Sequence, residues 1–362
     1  MAKPSKDEIL AALSQVQDPE LHRDIVSLNM VHDVNVDGGR VALKVVLTTP
    51  ACPLSAAIKE EVEKALMALP GVTSVDITMD AEVRGHRAAD GPKAIPGVRN
   101  IIAVASNKGG VGKTTVSVNL AVALAKRGAR IGLMDADVTG PNVPIMMGFE
   151  AGFMAESDNG LEPIERYGVR ICSIGFVLDR GAAVIWRGPM VGTAVRQLMH
   201  DIPWGDLDYL LIDLPPGTSD ASLSMAQEAP IAGVVIVSTP QDVSLEDATK
   251  AVSMFDRLKV PVFGVVENMS YFVCPHCGER TDIFGHGGAR TAADELGLEF
   301  LGEIPLDAET RSAGDQGVPI TESHPESPQA KAFMALAEKV AARCSVLSFM
   351  EDVGAPAAGG AG

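Results

Sequence analysis

No run of this 362-residue sequence approaches the roughly 20 consecutive apolar residues that a bilayer-spanning helix needs, so no membrane span is expected. The opening residues, MAKPSKDEILAAL, mix both charge signs and hold no uninterrupted apolar core, so no secretory leader is expected either. Positive charge is scarce: 30 Lys and Arg stand against 47 Asp and Glu, a formal net charge of -17. A surface of that sign does not hold nucleic acid or anionic lipid by bulk attraction, and neither is expected as a partner. Cysteine is sparse and odd in number, at Cys52, Cys172, Cys274, Cys277 and Cys344, which argues against a disulfide framework and makes the cytoplasm the expected compartment. His22, His32, His86, His200, His286 and His324 form no H-x-x-x-H pair, and neither an N-K-x-D guanine motif nor an internal repeat is visible.

What is present is a hydrophobic fraction of 46% in a chain long enough for two domains. Residues 1–84 read as a small α+β domain. The apolar spacing of DEILAALSQV and SAAIKEEVEKALMAL suits helices, VHDVNVDGGRVALKVVLTT suits a hairpin turning at Asp37-Gly38-Gly39, and VTSVDITM suits a strand. Residues 85–98, rich in Gly, Ala, Pro and charge, read as a linker. From 99 to 347 apolar strands alternate with helical stretches, the pattern of βαβ units around a parallel sheet. NIIAVAS, ARIGLMD, DYLLID, AGVVIVST, PVFGVVEN and LEFLGEI are the strands, too apolar to have a wet face. TTVSVNLAVALAKRG, SLEDATKAVSMFDRL and SPQAKAFMALAEKVAARC are helices, and 348–362 reads as a disordered tail.

SNKGGVGKTT, residues 106–115, follows a strand and opens a helix, the setting that makes a phosphate-binding loop credible. Gly109, Gly110 and Gly112 let the backbone around Val111 close on phosphate oxygens, and the N–H groups up to Thr115 face them. Lys113 reaches the outer phosphates and the Thr114 hydroxyl suits Mg²⁺. Asn107 stands where the usual motif has glycine, and Lys108 is a surplus cation. Asp135 and Asp137 in LMDADVTGPNVP, and Asp213 in DYLLID, end strands, and the C-terminal ends of parallel strands share one ligand crevice. Any one of them alone reads equally as a turn aspartate.

KGGVGKT, DAD and DLPPGT resemble the deviant Walker A ATPases, the group that includes MinD, partition ATPases and nitrogenase iron protein. The resemblance implies a P-loop NTPase fold and a dimer in which Lys108 reaches the partner's phosphates while Lys113 acts in cis. It further implies that Asp137 orients water, with Asp135 and Asp213 near the magnesium. Asn268, ending PVFGVVEN, matches the asparagine that contacts adenine in that group, which favours ATP; a turn asparagine is the plain reading. Gln241 and Asp242 either lie near the base or, as with Asp242 or Ser244, cap the next helix.

YFVCPHCGER puts Cys274 and Cys277 three apart, close enough for one metal centre, which usually wants four protein ligands. A redox pair, a zinc staple between two chains (with His276 a spacer or a ligand) and a bridging iron-sulfur cluster all remain open on spacing alone. The further stretches WRGPM, STPQDVSLED and VVENMSYFVCPHCGE resemble the Mrp/ApbC family of iron-sulfur cluster carrier ATPases across nearly all of residues 98–345. That resemblance implies ATP and Mg²⁺ as cofactors and a labile [4Fe-4S] cluster held by Cys274 and Cys277 of two chains. Its implied partners are a second copy, apo iron-sulfur proteins and assembly factors. QDPELHRDIVSLNMVHDV with TTPACPLS resembles the small iron-sulfur assembly domain fused to these carriers. Cys52 is there either a core residue or an accessory thiol whose thiolate the following helix N-terminus stabilises, with Glu20 and Asp24 as candidate companions. Cys172 and Cys344 read as packing residues.

Overall fold

The computed structural model describes residues 4–86, 92–137, 140–149, 156–157, 160–176, 188–217, 220–241 and 244–352. Contacts divide the chain into two units, one ending at Arg84 and one beginning at Gly85.

In the first unit, α1 (Lys6–Leu13) is opened by a capping box in which Ser5 and Glu8 satisfy each other's backbone N–H groups. β1 (Val31–Asp37) and β2 (Arg40–Leu47) form an antiparallel hairpin, with Asp37 opposite Arg40. The turn falls on Gly38-Gly39, where Gly38 takes φ +61°. α2 (Ser55–Met67) buries Ile58, Val62 and Leu66, spaced four apart on one face, and leads to β3 (Ser74–Ala81), parallel to β2.

The second unit is the expected parallel α/β sheet. In chain order its main elements are β4 (Val98–Ala105), α3 (Lys113–Lys126), β5 (Ile131–Asp135), β6 (Ile164–Arg166), β7 (Val169–Ser173), α4 (Gly188–His200), β8 (Leu207–Asp213) and α5 (Asp220–Glu228). There follow β9 (Ile231–Ser238), α6 (Ser244–Arg257), β10 (Val262–Val273), β11 (Arg280–Thr281), α7 (Gly288–Glu295), β12 (Phe300–Leu306), α8 (Ala308–Asp315) and α9 (Pro328–Asp352). Nine strands among the described residues form one sheet in the order β6-β7-β5-β8-β4-β9-β10, with β11 and β12 both paired to β10. Only the β6–β7 and β10–β11 pairs are antiparallel.

Every residue of β5, β8 and β9 is buried, which is why these strands are apolar without alternation. α3 is buried along most of its length because it lies between the sheet and α9. In register, Asp213 at the end of β8 faces Asp135 at the end of β5 and Val104 near the end of β4. The carboxyl edge of the sheet therefore gathers the phosphate-loop candidate and two acidic residues.

The β6–β7 edge hairpin was not among the expected strands; its short, mixed first strand carries no run of apolar residues. α9 runs to Asp352, five residues into the segment expected as tail, because Ser348 continues the buried seam one turn beyond Cys344. Residues 353–362 of that tail, and 87–91 of the expected linker, lie outside the described residues.

Gly233 in β9 has no room for a side chain: a Cβ there would lie 1.9 Å from the ring of fully buried Phe263. Gly233→Ala is expected to destabilise the second unit by about 1–3 kcal/mol, the usual range for overpacking, read as a lower urea midpoint at unchanged slope. An unchanged midpoint would contradict this packing.

Candidate functional site

Between β4 and α3, Gly110 and Gly112 hold φ +81° and +79°, a region that residues with a Cβ resist. At Gly112 the constraint is double, since a Cβ would lie 2.3 Å from Asn268 Nδ2. At Gly109 and Gly110 a Cβ would meet nothing within 4 Å. Gly217 N–H donates to Ser106 O at 2.8 Å, tying the loop to the segment after β8. The loop borders a cavity of about 440 Å³ that also takes in Asp137, Asn268, Met269 and the stretch from Pro305 at the end of β12 to Asp315 in α8.

The carboxylates converge beside it. Asp213 has no exposure; it lies 2.7 Å from Lys113 Nζ and accepts from Thr114 Oγ1 at 2.7 Å and from Ser117 Oγ at 2.6 Å. Lys113 Nζ is buried and, although close to Asp213, is out of line for a hydrogen bond, so its protons are left for another acceptor. Asp135 is equally buried and accepts from Ser173 Oγ (2.9 Å), Asp137 N–H (3.1 Å) and Val143 N–H (3.3 Å). Burial first, and then the charge of Asp213, push its carboxyl up to about 8. Asp137, 9% exposed, lines the cavity and accepts from Gly140 N–H at 3.2 Å.

Lys108 is exposed at the rim of this cavity and also of a second one, about 340 Å³, on the loop's other side. Gln241 and Phe284 line the second cavity, whereas Asp242 lies outside the described residues, as do Trp186 and Arg187 of WRGPM and Thr218 of DLPPGT. Asn268 is buried, and its Nδ2 donates to Val111 O at 2.8 Å, so this side chain also braces the loop.

Cys274 and Cys277 occupy the turn joining β10 to β11. Cys274 N–H donates to Glu279 O and Gly278 N–H to Cys274 O, which closes the turn, with Gly278 at φ +73°. Cys277 is exposed and Cys274 half-exposed. The N–H of Cys277 first, then that of His276, then the Cys277 side chain, all directed at Cys274, hold its thiol below the usual range. The other three cysteines are buried, and none of the five is in a disulfide.

The expectation of a stabilised thiolate at Cys52 fails. Its Sγ lies 3.8 Å from Glu20 Oε1, and burial and then the Glu20 charge push the thiol up to about 12. Glu20 is itself raised to about 7, by burial and then by Asp18. Asp24 instead accepts from Val26 and Ser27 N–H groups. Burial first, and then a neighbouring carboxylate, outweigh the helix N-terminus.

Residues 97–341 match the family model described as NUBPL iron-transfer P-loop NTPase, and 6–77 match that of an iron-sulfur cluster assembly protein. The chain belongs to the NUBPL iron-transfer P-loop NTPase family. Within it, the chain is 47% identical over 350 residues to an iron-sulfur cluster carrier protein of Synechocystis sp., covering 95% of this chain and 99% of that one. It is 50% identical over 346 residues to one of Deinococcus radiodurans, covering 95% and 97%. The structure is similar to that of a nucleotide-binding protein of Archaeoglobus fulgidus in complex with ADP, with a TM-score of 0.54, 45% identity, and 61% and 87% covered. The Mrp/ApbC carrier resemblance and the P-loop NTPase fold are thus borne out.

The cavity wall at Pro305, Leu306, Asp307, Thr310 and Arg311 was not foreseen. Asp307 does carry a helix-cap signal, accepting from Thr310 N–H at 3.0 Å, but a cap says nothing about what lies opposite.

Asp135 gives a pH test. Folded, it keeps its proton to about 8; unfolded, to about 4. The folded state holds the extra proton between those values, so stability falls as pH rises through that window. Asp135→Asn has no proton to lose, so its melting temperature relative to the wild type should rise between about pH 5 and pH 8 and level off above that. A difference independent of pH would contradict the raised carboxyl.

Proposed function

We infer that this chain is an iron-sulfur cluster carrier that binds and hydrolyses ATP. It works in the cytoplasm as a homodimer, holds a [4Fe-4S] cluster between the Cys274 and Cys277 thiols of two chains, and passes it to apo iron-sulfur proteins, with cluster assembly factors as further partners. The observation that carries the reading is that β10 borders the nucleotide-sized cavity at Asn268 and ends in the two-thiol turn.

The cradle fits a nucleotide's phosphates. Gly109 and Gly110 leave open the space that a Cβ would fill, the first turn of α3 presents its N–H groups, and Lys113 Nζ has protons to donate. In this reading Lys113 shifts from Asp213 to the outer phosphates. Thr114 and Asp213, two hard oxygen donors 2.7 Å apart, hold Mg²⁺, with Asp135 supporting from behind. When bound, the ion offsets charge on the β- and γ-phosphate oxygens. Asp137 orients the attacking water, and Lys108, at the cavity rim, reaches the phosphates bound by the partner chain. Asn268 uses one amide N–H on Val111 O and meets adenine with the rest of its amide.

The thiol turn supplies two ligands three residues apart, and the N–H groups aimed at Cys274 hold its thiol below the usual range. A closed cluster wants four, and the remaining cysteines of the chain are buried. A second copy supplies the missing pair. A positioning or partition ATPase is disfavoured by the -17 charge, which suits neither chromosome nor anionic membrane. No helix among the described residues is long and apolar enough to cross a membrane. A zinc staple would use the same four thiolates and is an outcome of the test.

Anaerobic reconstitution with iron and sulfide should give a brown protein that activates an apo-enzyme needing a [4Fe-4S] cluster. Cys274→Ala with Cys277→Ala should abolish both colour and transfer, while Cys172→Ala should leave them. Full cluster content in the double variant, or retention of zinc with no iron uptake by the wild type, would refute the carrier assignment.

A further inference from the structure

β10 is irregular in the stretch between the nucleotide cavity and the thiols. Opposite β12 it pairs Asn268 with Ile304 and then Phe272 with Leu306, so residues 269–271 bulge against the single residue Pro305. Met269 at the start of the bulge has φ +56° and borders both the 440 Å³ and the 340 Å³ cavities. A non-glycine residue in that region persists only where its surroundings hold it.

Glu267, with no exposure, is what holds it. Its carboxylate accepts from Ser270 Oγ at 2.5 Å, inside the bulge, and from the N–H groups of Ala289 at 2.9 Å and Gly287 at 3.3 Å, at the start of α7. His286 lies beside it, Nδ1 at 4.0 Å from Glu267 Oε1 and Nε2 at 4.0 Å from Glu303 Oε1. Arg280 donates to His286 Nδ1 at 2.8 Å, lies over the Tyr271 ring at 3.9 Å, and pairs across the thiol turn with Val273. Glu267, His286 and Glu303 are close enough together to suggest a cation site. Two guanidinium groups already occupy it, Arg280 on His286 and Arg290 at 3.5 Å from Glu303, and three donors already engage Glu267. The network is built to hold the bulge to the hairpin.

We propose that Glu267 is a positioning residue that couples occupancy of the nucleotide cavity to the reactivity of the Cys274–Cys277 turn. The proposal rests on reading that cavity as a nucleotide site. A nucleotide bears on Asn268 and Met269 at one end of the bulge. Glu267 fixes Ser270 within it and holds the start of α7 through the Gly287 and Ala289 N–H groups, and His286, the residue before Gly287, accepts from Arg280 on the return strand of the hairpin. Displacement of the strand is thereby passed on to the thiols instead of being absorbed by the bulge.

The test measures iodoacetamide alkylation of Cys274 and Cys277 in the metal-free full-length chain, with no nucleotide, with MgADP and with a non-hydrolysable ATP analogue. In the wild type, nucleotide should change the rate several-fold. Glu267→Gln should bind nucleotide as tightly and melt as a folded protein, yet alkylate at one rate in all three conditions. Glu267→Asp should recover part of the response, and Ser270→Ala should lose part of it. Wild-type thiols indifferent to bound nucleotide would overturn the coupling, and a full response in Glu267→Gln would overturn the assignment to Glu267. If Glu267→Gln does not fold, a full response in Ser270→Ala overturns it. Failure of the wild type to bind nucleotide at all would instead sink the nucleotide-site reading. The readout uses bare thiols, so none of these results depends on a cluster being carried.

Discussion

A carboxylate sealed from water at the end of a central strand costs several kcal/mol unless its charge is met on the spot. Asp213 is such a group, and Lys113, Thr114 and Ser117, all from the first two turns of α3, surround it. That requirement fixes where the helix begins and how it seats against β8, and so fixes the glycine loop that leads into it. It also explains the behaviour of Asp135. Burial first, and then the Asp213 carboxyl that faces it in register, raise Asp135, so Asp135 keeps its proton to about 8. The site therefore holds one carboxyl that keeps its proton and one lysine with protons to spare, which is the balance that incoming phosphates and a divalent cation would change.

The second constraint is β10. Most strands of the sheet end at the carboxyl edge, but β10 continues to Val273, past a bulge and a left-handed methionine, into the cysteine turn. Local rules are broken there: a positive φ without glycine, a skipped register, and a fully buried glutamate. Such violations survive where the surroundings impose them, and they gather here between two chemically equipped sites.

Much of this was legible in the sequence. Strands buried on both faces announce themselves as unbroken apolar runs, and the glycine pattern of 106–115 is dictated by backbone dihedrals. The paired cysteines were legible as a two-ligand unit. The remainder depends on distance in three dimensions. Glu267, His286, Glu303 and Arg280 look like ordinary polar residues until the parallel pairing of β10 with β12 brings them together. Glu20 is legible as a companion of Cys52, but burial, which raises the Cys52 thiol most, is not, and burial and the Glu20 charge together outweigh the adjacent helix. Asn268 matches a base-contacting asparagine in sequence, but its bond to the loop carbonyl of Val111 is visible only in the fold.

The central claim is that one chain supplies half of a shared metal-cluster site. Native mass spectrometry of the anaerobically reconstituted protein tests it most directly. The account predicts a species with the mass of two chains plus four irons and four sulfides, about one cubane per dimer. A monomer retaining a full cluster, or a dimer whose added mass is zinc, would contradict it.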